Sequence, residues 1–323
     1  MNTDPAQKLV VVVPAYNEAA VLETFQQRLL AVLDGLSLDS RVVYVDDGSS
    51  DETWRLIRNF MHADGRVGGV RLSRNFGKEA ALSAGLDQAD DDADAVVVID
   101  ADLQDPPELI PDLVAQWRQG SDVVYAVRQS RAGETAFKRF TAAAFYRTMG
   151  RLSDTPIPRD TGDFRLLSRR ALDALRRLPE RQRFMKGLFA WIGFDQTGIR
   201  YQRDARHSGH SKWNYWRLWN LAVEGITSFS SLPLRIATWA GLLTSLTAFG
   251  FGIWVLLKAL IWGDPVRGYP SLMTVILFLG GVQLLALGVI GEYLGRIYAE
   301  TKQRPLYLIR ERHLPGQSPP RQP

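Results

Sequence analysis

Short apolar runs and longer amphipathic stretches take turns along the first two-thirds of this chain. Leu9–Val13, Val42–Val45, Gly69–Leu72, Ala95–Ile99 and Val123–Val127 are compact and rich in β-branched residues. All but the last are separated by helical-looking stretches such as Glu18–Leu33 and Asp51–His62. Alternation of strand and helix predicts an α/β fold with a largely parallel sheet covered on both faces, and ligand sites in such sheets lie at the carboxyl ends of the strands. The polar motifs of this sequence fall at those ends. The acidic run at Asp90, Asp91 and Asp92 precedes a strand and reads as solvated surface.

The pattern changes after residue 230. Ile236–Leu257 is 22 residues without a charge, and Leu272–Gly291 is 20 residues whose most polar member is Gln283. Each is long enough to cross a hydrocarbon core of roughly 30 Å as a helix. The short connection Gly263–Pro270 makes the pair a hairpin, with spans expected at about 236–260 and 270–293. Arg235 and the sequence from Arg296 onward are basic, whereas Arg267 in the connection is balanced by Asp264, so the positive-inside rule puts both ends on the cytoplasmic side. The first apolar run is too short for a signal peptide, which leaves the first 230 residues in the cytoplasm as well. Two further segments, 136–149 and 213–232, mix aromatic and basic residues at helical spacing. Core helices are one reading of them; their place beside the first span favours helices lying on the membrane surface.

The expected organisation is a catalytic domain over residues 1–212, an interfacial helix at 213–232, two spans within 233–297 and a basic tail at 298–323. The 323 residues include no cysteine and four histidines, which removes thiolate chemistry and zinc–cysteine sites and leaves any metal to carboxylates. The formal charge of +4 is clustered: residues 296–323 carry six basic side chains against two acidic ones. Residues 128–151 hold six against one and residues 200–217 five against one, blocks suited to anionic lipid or substrate beside a membrane.

The motif Val98-Ile-Asp100-Ala101-Asp102-Leu-Gln104-Asp-Pro-Pro carries the strongest chemical signal. Two carboxylates at i and i+2 leaving a strand suit one hard divalent cation, which in turn bridges phosphate oxygens; a capping or turn role is the competing reading. A second strand ends at Val45-Asp46-Asp47-Gly48-Ser49-Ser-Asp51, where Asp47 suits the N–H of a nucleobase and Asp51 suits a helix cap. The first strand ends at Pro14-Ala-Tyr16-Asn17-Glu18, with Tyr16 placed to flank a base and Glu18 to accept a ribose hydroxyl.

These three motifs in order, with Ser73-Arg-Asn75-Phe-Gly77-Lys78, resemble the family 2 glycosyltransferases of GT-A fold, a Rossmann-like catalytic domain. Within them the chain is similar to polyprenyl-phosphate glycosyltransferases, the dolichol-phosphate mannosyltransferase and bactoprenol glucosyltransferase kind. The hairpin with Gly288-Val-Ile-Gly-Glu292-Tyr-Leu-Gly295-Arg296 and Arg304-Pro-Leu-Tyr307 is similar to the bacterial glucosyltransferase branch. The resemblance implies nucleotide-sugar contacts at Pro14, Tyr16, Glu18, Val45, Asp47, Lys78, Asp100, Ala101, Asp102, Arg206, Ser211 and Lys212. It implies Mg²⁺ or Mn²⁺ on Asp100 and Asp102 with Gln104 close by, and phosphate-binding roles for Arg128, Arg206 and Lys212. Arg206 and Lys212 lie in a flexible basic loop suited to closing over a diphosphate.

The P-loop pattern fails around Lys78, no G-x-G-x-x-G follows the first strand, and the Q-x-x-R-W motif of processive synthases is missing. A lipid phosphate is already ionised, so the demanding task is stabilising the departing nucleoside diphosphate, which the metal on Asp100 and Asp102, with Arg206 and Lys212, is expected to do; Gln104 is expected beside that metal. Arg128, Lys138 and Arg139 are expected on the acceptor phosphate, and Asp163 either orients a substrate or caps a helix. The implied reaction is inverting transfer of a sugar, glucose by branch resemblance, from a UDP-linked donor to a polyprenyl phosphate such as undecaprenyl phosphate. N-acetylhexosamine, mannose and aminoarabinose donors stay open, as do a soluble or protein acceptor and a silent membrane scaffold. The expected setting is the bacterial inner membrane, with a downstream flippase, no nucleic-acid partner, and the oligomeric state left open.

Overall fold

The computed structural model describes residues 7–128, 161–181, 183–201, 232–262 and 268–317. Eight strands form one sheet: β1 Lys8–Ala15, β2 Asp39–Asp46, β3 Val67–Leu72, β4 Ala95–Val98, β5 Val123–Arg128, β6 Thr161–Ser168, β7 Gln196–Tyr201 and β8 Ile309–His313. Their order across the sheet is β7-β5-β6-β4-β1-β2-β3-β8. The helices are α1 Leu22–Asp34, α2 Thr53–Ala63, α3 Lys78–Gln88, α4 Ile110–Arg118, α5 Arg169–Arg176, α6 Met185–Trp191, α7 Leu232–Trp262 and α8 Tyr269–Thr301.

The run Leu9–Val13 is apolar at every position because β1 is central and covered on both faces, as strands of parallel sheets usually are. Leu9, Val11 and Val13 face a core built with Leu22, Phe25 and Leu29 of α1, Ile57 of α2 and Leu113 of α4. Val10 and Val12 face the opposite core, with Leu82 and Leu86 of α3, Leu172 of α5 and Leu188 of α6. Each such side chain taken fully out of water stabilises the fold by roughly 1.5–3 kcal/mol. The helix α3 reads as polar-poor all round, Ala80-Ala-Leu-Ser-Ala-Gly-Leu86, and it lies so close to the sheet that a Cβ on Gly85 would stand 2.2 Å from Val12 Cγ1.

Strands β1, β2, β3 and β4 run parallel. The expected largely parallel sheet is a mixed one: β5 pairs parallel with β7, while β6 pairs antiparallel with both β4 and β5, and β8 antiparallel with β3. Thr161–Ser168 is buried at every residue although it carries Asp163 and Arg165, so polar content hid a central strand.

Part of the expected basic tail is folded onto the sheet. After α8 the chain returns to the sheet: Glu300 Oε1 accepts from the Arg181 backbone N–H at 2.8 Å, and Leu308 O accepts from Ser73 N–H at 2.8 Å. Tyr307 Oη donates to Asp87 at 2.8 Å, and Ile309–His313 then closes the β3 edge. Charged strands of this kind are normal at a sheet edge, where one side faces water. The acidic run is a paired surface, with Asp90 on Arg41 at 2.6 Å, Asp91 on Arg176 at 3.0 Å, and Asp92 on Lys8.

The helices α7 and α8 have 31 and 33 residues and pack on each other. At 1.5 Å per residue they are roughly 45–50 Å long. Among the described residues one stretch, Phe278–Thr301, is long and apolar enough to cross a membrane. Trp239, Leu243, Phe249, Leu284 and Leu285 lie exposed along the two helices.

Candidate active site at the carboxyl ends of the strands

Because β1, β2, β3 and β4 are parallel, their carboxyl ends meet at one edge of the sheet. The chain turns from β1 outward through β2 to β3, then crosses back through α3 to β4 on the other side of β1. A crevice opens at such a reversal of strand order.

Two loops are laced together there. Asn17, at φ 56°, donates its backbone N–H to Ser49 Oγ at 3.0 Å, and its Oδ1 accepts from Ser50 N–H at 2.9 Å. Glu18 N–H donates to Thr53 Oγ1 at 2.9 Å, and Ala19 N–H to Asp51 Oδ2 at 3.2 Å. Asp51 Oδ1 also accepts from Thr53 N–H at 3.0 Å, so it braces the turn that leads into α2, whose N-cap is Glu52, and ties the first loop at once. Sequence reading gave Asn17 and Thr53 no role and Ser49 only a turn with Gly48; the signal was a run of Asn, Ser, Asp and Thr, the residues that bond backbone locally.

Asp47 has a different partner from the expected base. It is 3% exposed, and its Oδ1 and Oδ2 accept from the backbone N–H of Phe76 at 2.7 Å and of Gly77 at 2.9 Å. Burial raises its carboxyl above the ordinary range while those two N–H groups pull it back. Asp47 thus fastens the loop from β3 to α3. Asp46, fully buried, accepts from Ser49 N–H at 3.0 Å and lies 3.2 Å from Arg71 Nε.

The strand register explains the acidic centre. In the antiparallel pair β4·β6, Val98 stands opposite Arg165. Continuing that register two residues sets Asp100 opposite Asp163. Lys78, the first residue of α3, reaches between them: its Nζ is 2.6 Å from Asp100 Oδ2 and 2.5 Å from Asp163 Oδ2. Asp102 Oδ1 accepts from Gln104 N–H at 3.1 Å, and the Gln104 side chain is buried. Asp163 Oδ1 is buried with no hydrogen-bond partner among the described residues.

Charge coupling sets the protonation states. Burial raises Asp100, Lys78 opposes that, and Asp163 adds to it, with a net upward direction. Burial would raise Asp163 too, yet Lys78 and then Lys186 outweigh it and hold the carboxyl well below its usual range. Desolvation would lower the Lys78 ammonium, but the charges of Asp100 and Asp163 carry it well above the usual lysine range. Glu79 is pushed up to about 7 by burial, with Asp163 adding, and it accepts from Met185 N–H at 3.2 Å. Arg165 is 4% exposed, sits 3.8 Å over the Phe189 ring, and is lowered by burial to about 10.

Of the other expected residues, Tyr16 is 46% exposed at the mouth of the crevice, Glu18 is half-buried beside it, and Pro14 lies in β1. Val45 and Ala101 are core residues whose side chains pack inward, which leaves only their backbone for a ligand. Arg128 ends β5 opposite Tyr201. Lys138, Arg139, Arg206, Ser211 and Lys212, and the segments 136–149 and 213–231, lie outside the described residues.

The donor set fits a hard divalent cation. Asp100 and Asp102 offer carboxylate oxygens, and Asp163 Oδ1 is an unpartnered oxygen beside them. Among the described residues no three or more His, Asp or Glu converge as a metal cage. Mg²⁺ and Mn²⁺ bound by one or two carboxylates ordinarily complete their shell with phosphate oxygens and water.

Comparison with known proteins assigns the family. The family model described as Glycosyl transferase family 2 matches residues 10–176, which include the motifs at the ends of β1, β2 and β4, Lys78 and Asp163. This chain is a family 2 glycosyltransferase. A second model, described as the GtrB C-terminal hairpin, matches residues 232–297 of the glycosyltransferase. A Synechocystis sp. protein named only as an uncharacterized glycosyltransferase is 52% identical to it over 302 residues, covering 94% of each chain. The SfII prophage-derived bactoprenol glucosyl transferase of Shigella flexneri is 45% identical over 306 residues, covering 95% of this chain and 98% of its own. A prophage bactoprenol glucosyl transferase homolog of Escherichia coli (strain K12) is 45% identical over 303 residues, covering 94% and 98%.

Proposed function

We propose that this glycosyltransferase moves a sugar, glucose in the leading reading, from a UDP-linked donor to a polyprenyl phosphate such as undecaprenyl phosphate, with inversion at the anomeric carbon. One observation carries the acceptor assignment: the match to bactoprenol glucosyl transferases, 45% identical overall, covers 95% of this chain, and residues 232–297 match the GtrB C-terminal hairpin model as well.

The donor lies in the crevice at the ends of β1, β2 and β4, its base beside Tyr16 and its diphosphate near Asp100 and Asp102. A divalent cation on those two carboxylates supplies charge neutralisation to the leaving diphosphate. Gln104 acts through its backbone N–H, which fixes the Asp102 carboxylate. Asp163, anionic and with Oδ1 unpartnered, orients the acceptor or the reacting sugar. Arg206, Ser211 and Lys212 close on the diphosphate, and Arg128, Lys138 and Arg139 hold the acceptor phosphate. The acceptor needs no strong base, because its phosphate oxygen is ionised at neutral pH; preorganised charge at the leaving group is the larger contribution.

Both α7 and α8 span the membrane in this reading, with the catalytic domain and both termini on the cytoplasmic face of a bacterial inner membrane. The sugar-lipid then needs a flippase to reach the other leaflet. The test is transfer of radiolabel from a panel of nucleotide-sugars to undecaprenyl phosphate in membranes carrying the protein, read as organic-extractable counts. Label entering lipid from UDP-glucose supports the proposal; entry from another donor changes the sugar, and turnover without lipid label removes the acceptor.

A further inference from the structure

Lys78 engages a carboxylate that the cation also needs. Its ammonium spans Asp100 Oδ2 at 2.6 Å and Asp163 Oδ2 at 2.5 Å, from the first position of a helix whose approach loop is fastened by Asp47. We infer that this ammonium is a tethered counter-ion competing with the divalent cation for Asp100, so that the cation binds well only together with a nucleoside diphosphate. The inference rests on the assignment of Asp100 and Asp102 as cation ligands given above.

The physical reason is a shortage of anions. A cation on Asp100 shares that carboxylate with an ammonium of the same sign, at ion-pair distance. The protein offers little compensation: the neighbouring carboxylate, Asp163, is held by the same ammonium, and among the described residues no group of three or more His, Asp or Glu is arranged to hold a metal ion. A diphosphate changes both sides of the balance. It gives the cation phosphate oxygens, and it gives the ammonium a new anionic partner, so Lys78 keeps Asp163 and exchanges its bond to Asp100 for one to phosphate. The lysine side chain is 46% exposed and its four-carbon stem is flexible, so the exchange needs a rotamer change and no backbone motion. Cation and nucleotide then bind with positive coupling, which linkage makes reciprocal.

The test uses the full chain in detergent and two probes, Mn²⁺ and UDP, titrated singly and together by calorimetry and by the electron paramagnetic resonance of free Mn²⁺. Wild type is expected to bind Mn²⁺ weakly alone and at least about tenfold more tightly with saturating UDP, within the range of ordinary coupling energies. Lys78→Met is expected to tighten Mn²⁺ alone by about tenfold and to shrink the UDP effect, while Lys78→Arg keeps the wild-type coupling. Lys78→Gln, which retains donors toward both carboxylates without the charge, replaces the methionine variant if circular dichroism finds that one unfolded. Equal Mn²⁺ affinity of wild type with and without UDP overturns the inference, as does a neutral variant with unchanged affinity and coupling. Those results leave the glycosyltransferase reading standing. Failure of wild type to bind Mn²⁺ even with UDP or GDP removes the cation assignment and the inference with it.

Discussion

Gly48 is where backbone geometry bears most directly on the donor loop. It follows Asp47 at φ +68°, and a Cβ there would lie 2.5 Å from Arg74 C and 2.7 Å from Asn75 N, both backbone atoms. Gly48→Ala therefore meets two costs. The left-handed conformation costs a non-glycine residue roughly 1–2 kcal/mol. Relieving the contact requires the Arg74–Asn75 backbone to retreat by most of an ångström, an overpacking cost of roughly 1–3 kcal/mol. The sum, about 3 kcal/mol, corresponds to a fall in Tm of roughly 6–12 °C for a domain of this size. If the loop retreats instead, the bonds from Phe76 and Gly77 to Asp47 stretch and Lys78 is displaced from Asp100 and Asp163. A misplacement on that scale lowers kcat/KM for the donor by about 10- to 100-fold. Thermal unfolding of the detergent-purified protein and transfer kinetics together read both outcomes, with Gly65→Ala, whose Cβ meets nothing within 4 Å, as control. A Gly48→Ala protein within about 2 °C of wild type and with unaltered donor kinetics would refute the reasoning, since both costs would then be absent.

Asp102→Asn is expected to abolish transfer while leaving membrane insertion intact; near-normal turnover at saturating Mg²⁺ and Mn²⁺ would remove the cation assignment. Asp122 is held below its ordinary carboxyl range chiefly by the hydrogen bond from Arg170, with the Ser168 hydroxyl adding. A depressed carboxylate stabilises the folded state at pH above its unfolded value of about 3.9 and loses that contribution as pH falls through the lower folded value. The stability gap between wild type and Asp122→Asn should thus be flat from about pH 5 to 8 and close below about pH 4, as urea titrations at each pH would report. Ending the chain at Thr301 removes β8 and should lower Tm by about 5 °C or more, because the β3 edge loses its partner; an unchanged melt would make the returning segment dispensable. Single cysteines at Ser318 and Val266 in this cysteine-free chain test topology with a membrane-impermeant thiol reagent on intact cells: labelling at Val266 alone supports the proposed orientation, and outside labelling at Ser318 overturns it.

Much of the sheet was legible because its central strands are buried on both faces, and a residue run such as Leu9–Val13 has no other economical home. The strands that escaped were those where chemistry or exposure breaks the pattern. β6 carries Asp163 and Arg165 inside a buried strand, and those charges kept it out of the strands read from the sequence. β8 is Ile-Arg-Glu-Arg-His, an edge strand whose charges made it part of the basic tail in the sequence reading. In both, the sheet register supplies the burial that local composition denies.

The site divides along the same line. Asp100 and Asp102 stood out in the sequence as a carboxylate pair leaving an apolar strand, and the structure places both at the end of β4. Their relation to Lys78 and Asp163 was not readable, since it comes from an antiparallel pairing between residues some 60 apart in sequence and from the short reach of α3 over the strands. Asp47 shows the limit from the other side: its position at a strand tip suggested a ligand contact, while both of its oxygens accept from the loop that delivers Lys78. The two findings join into one mechanical statement. The β2 tip fixes the loop, the loop fixes the start of α3, and α3 aims an ammonium at the carboxylates of β4 and β6. The edge strand β8 reaches the same loop, through Leu308 O on Ser73 N–H and through Glu311, 3.6 Å from Arg71, which in turn meets Asp46. The segment that follows α8 is thereby tied by direct contacts to the loop that leads into Lys78.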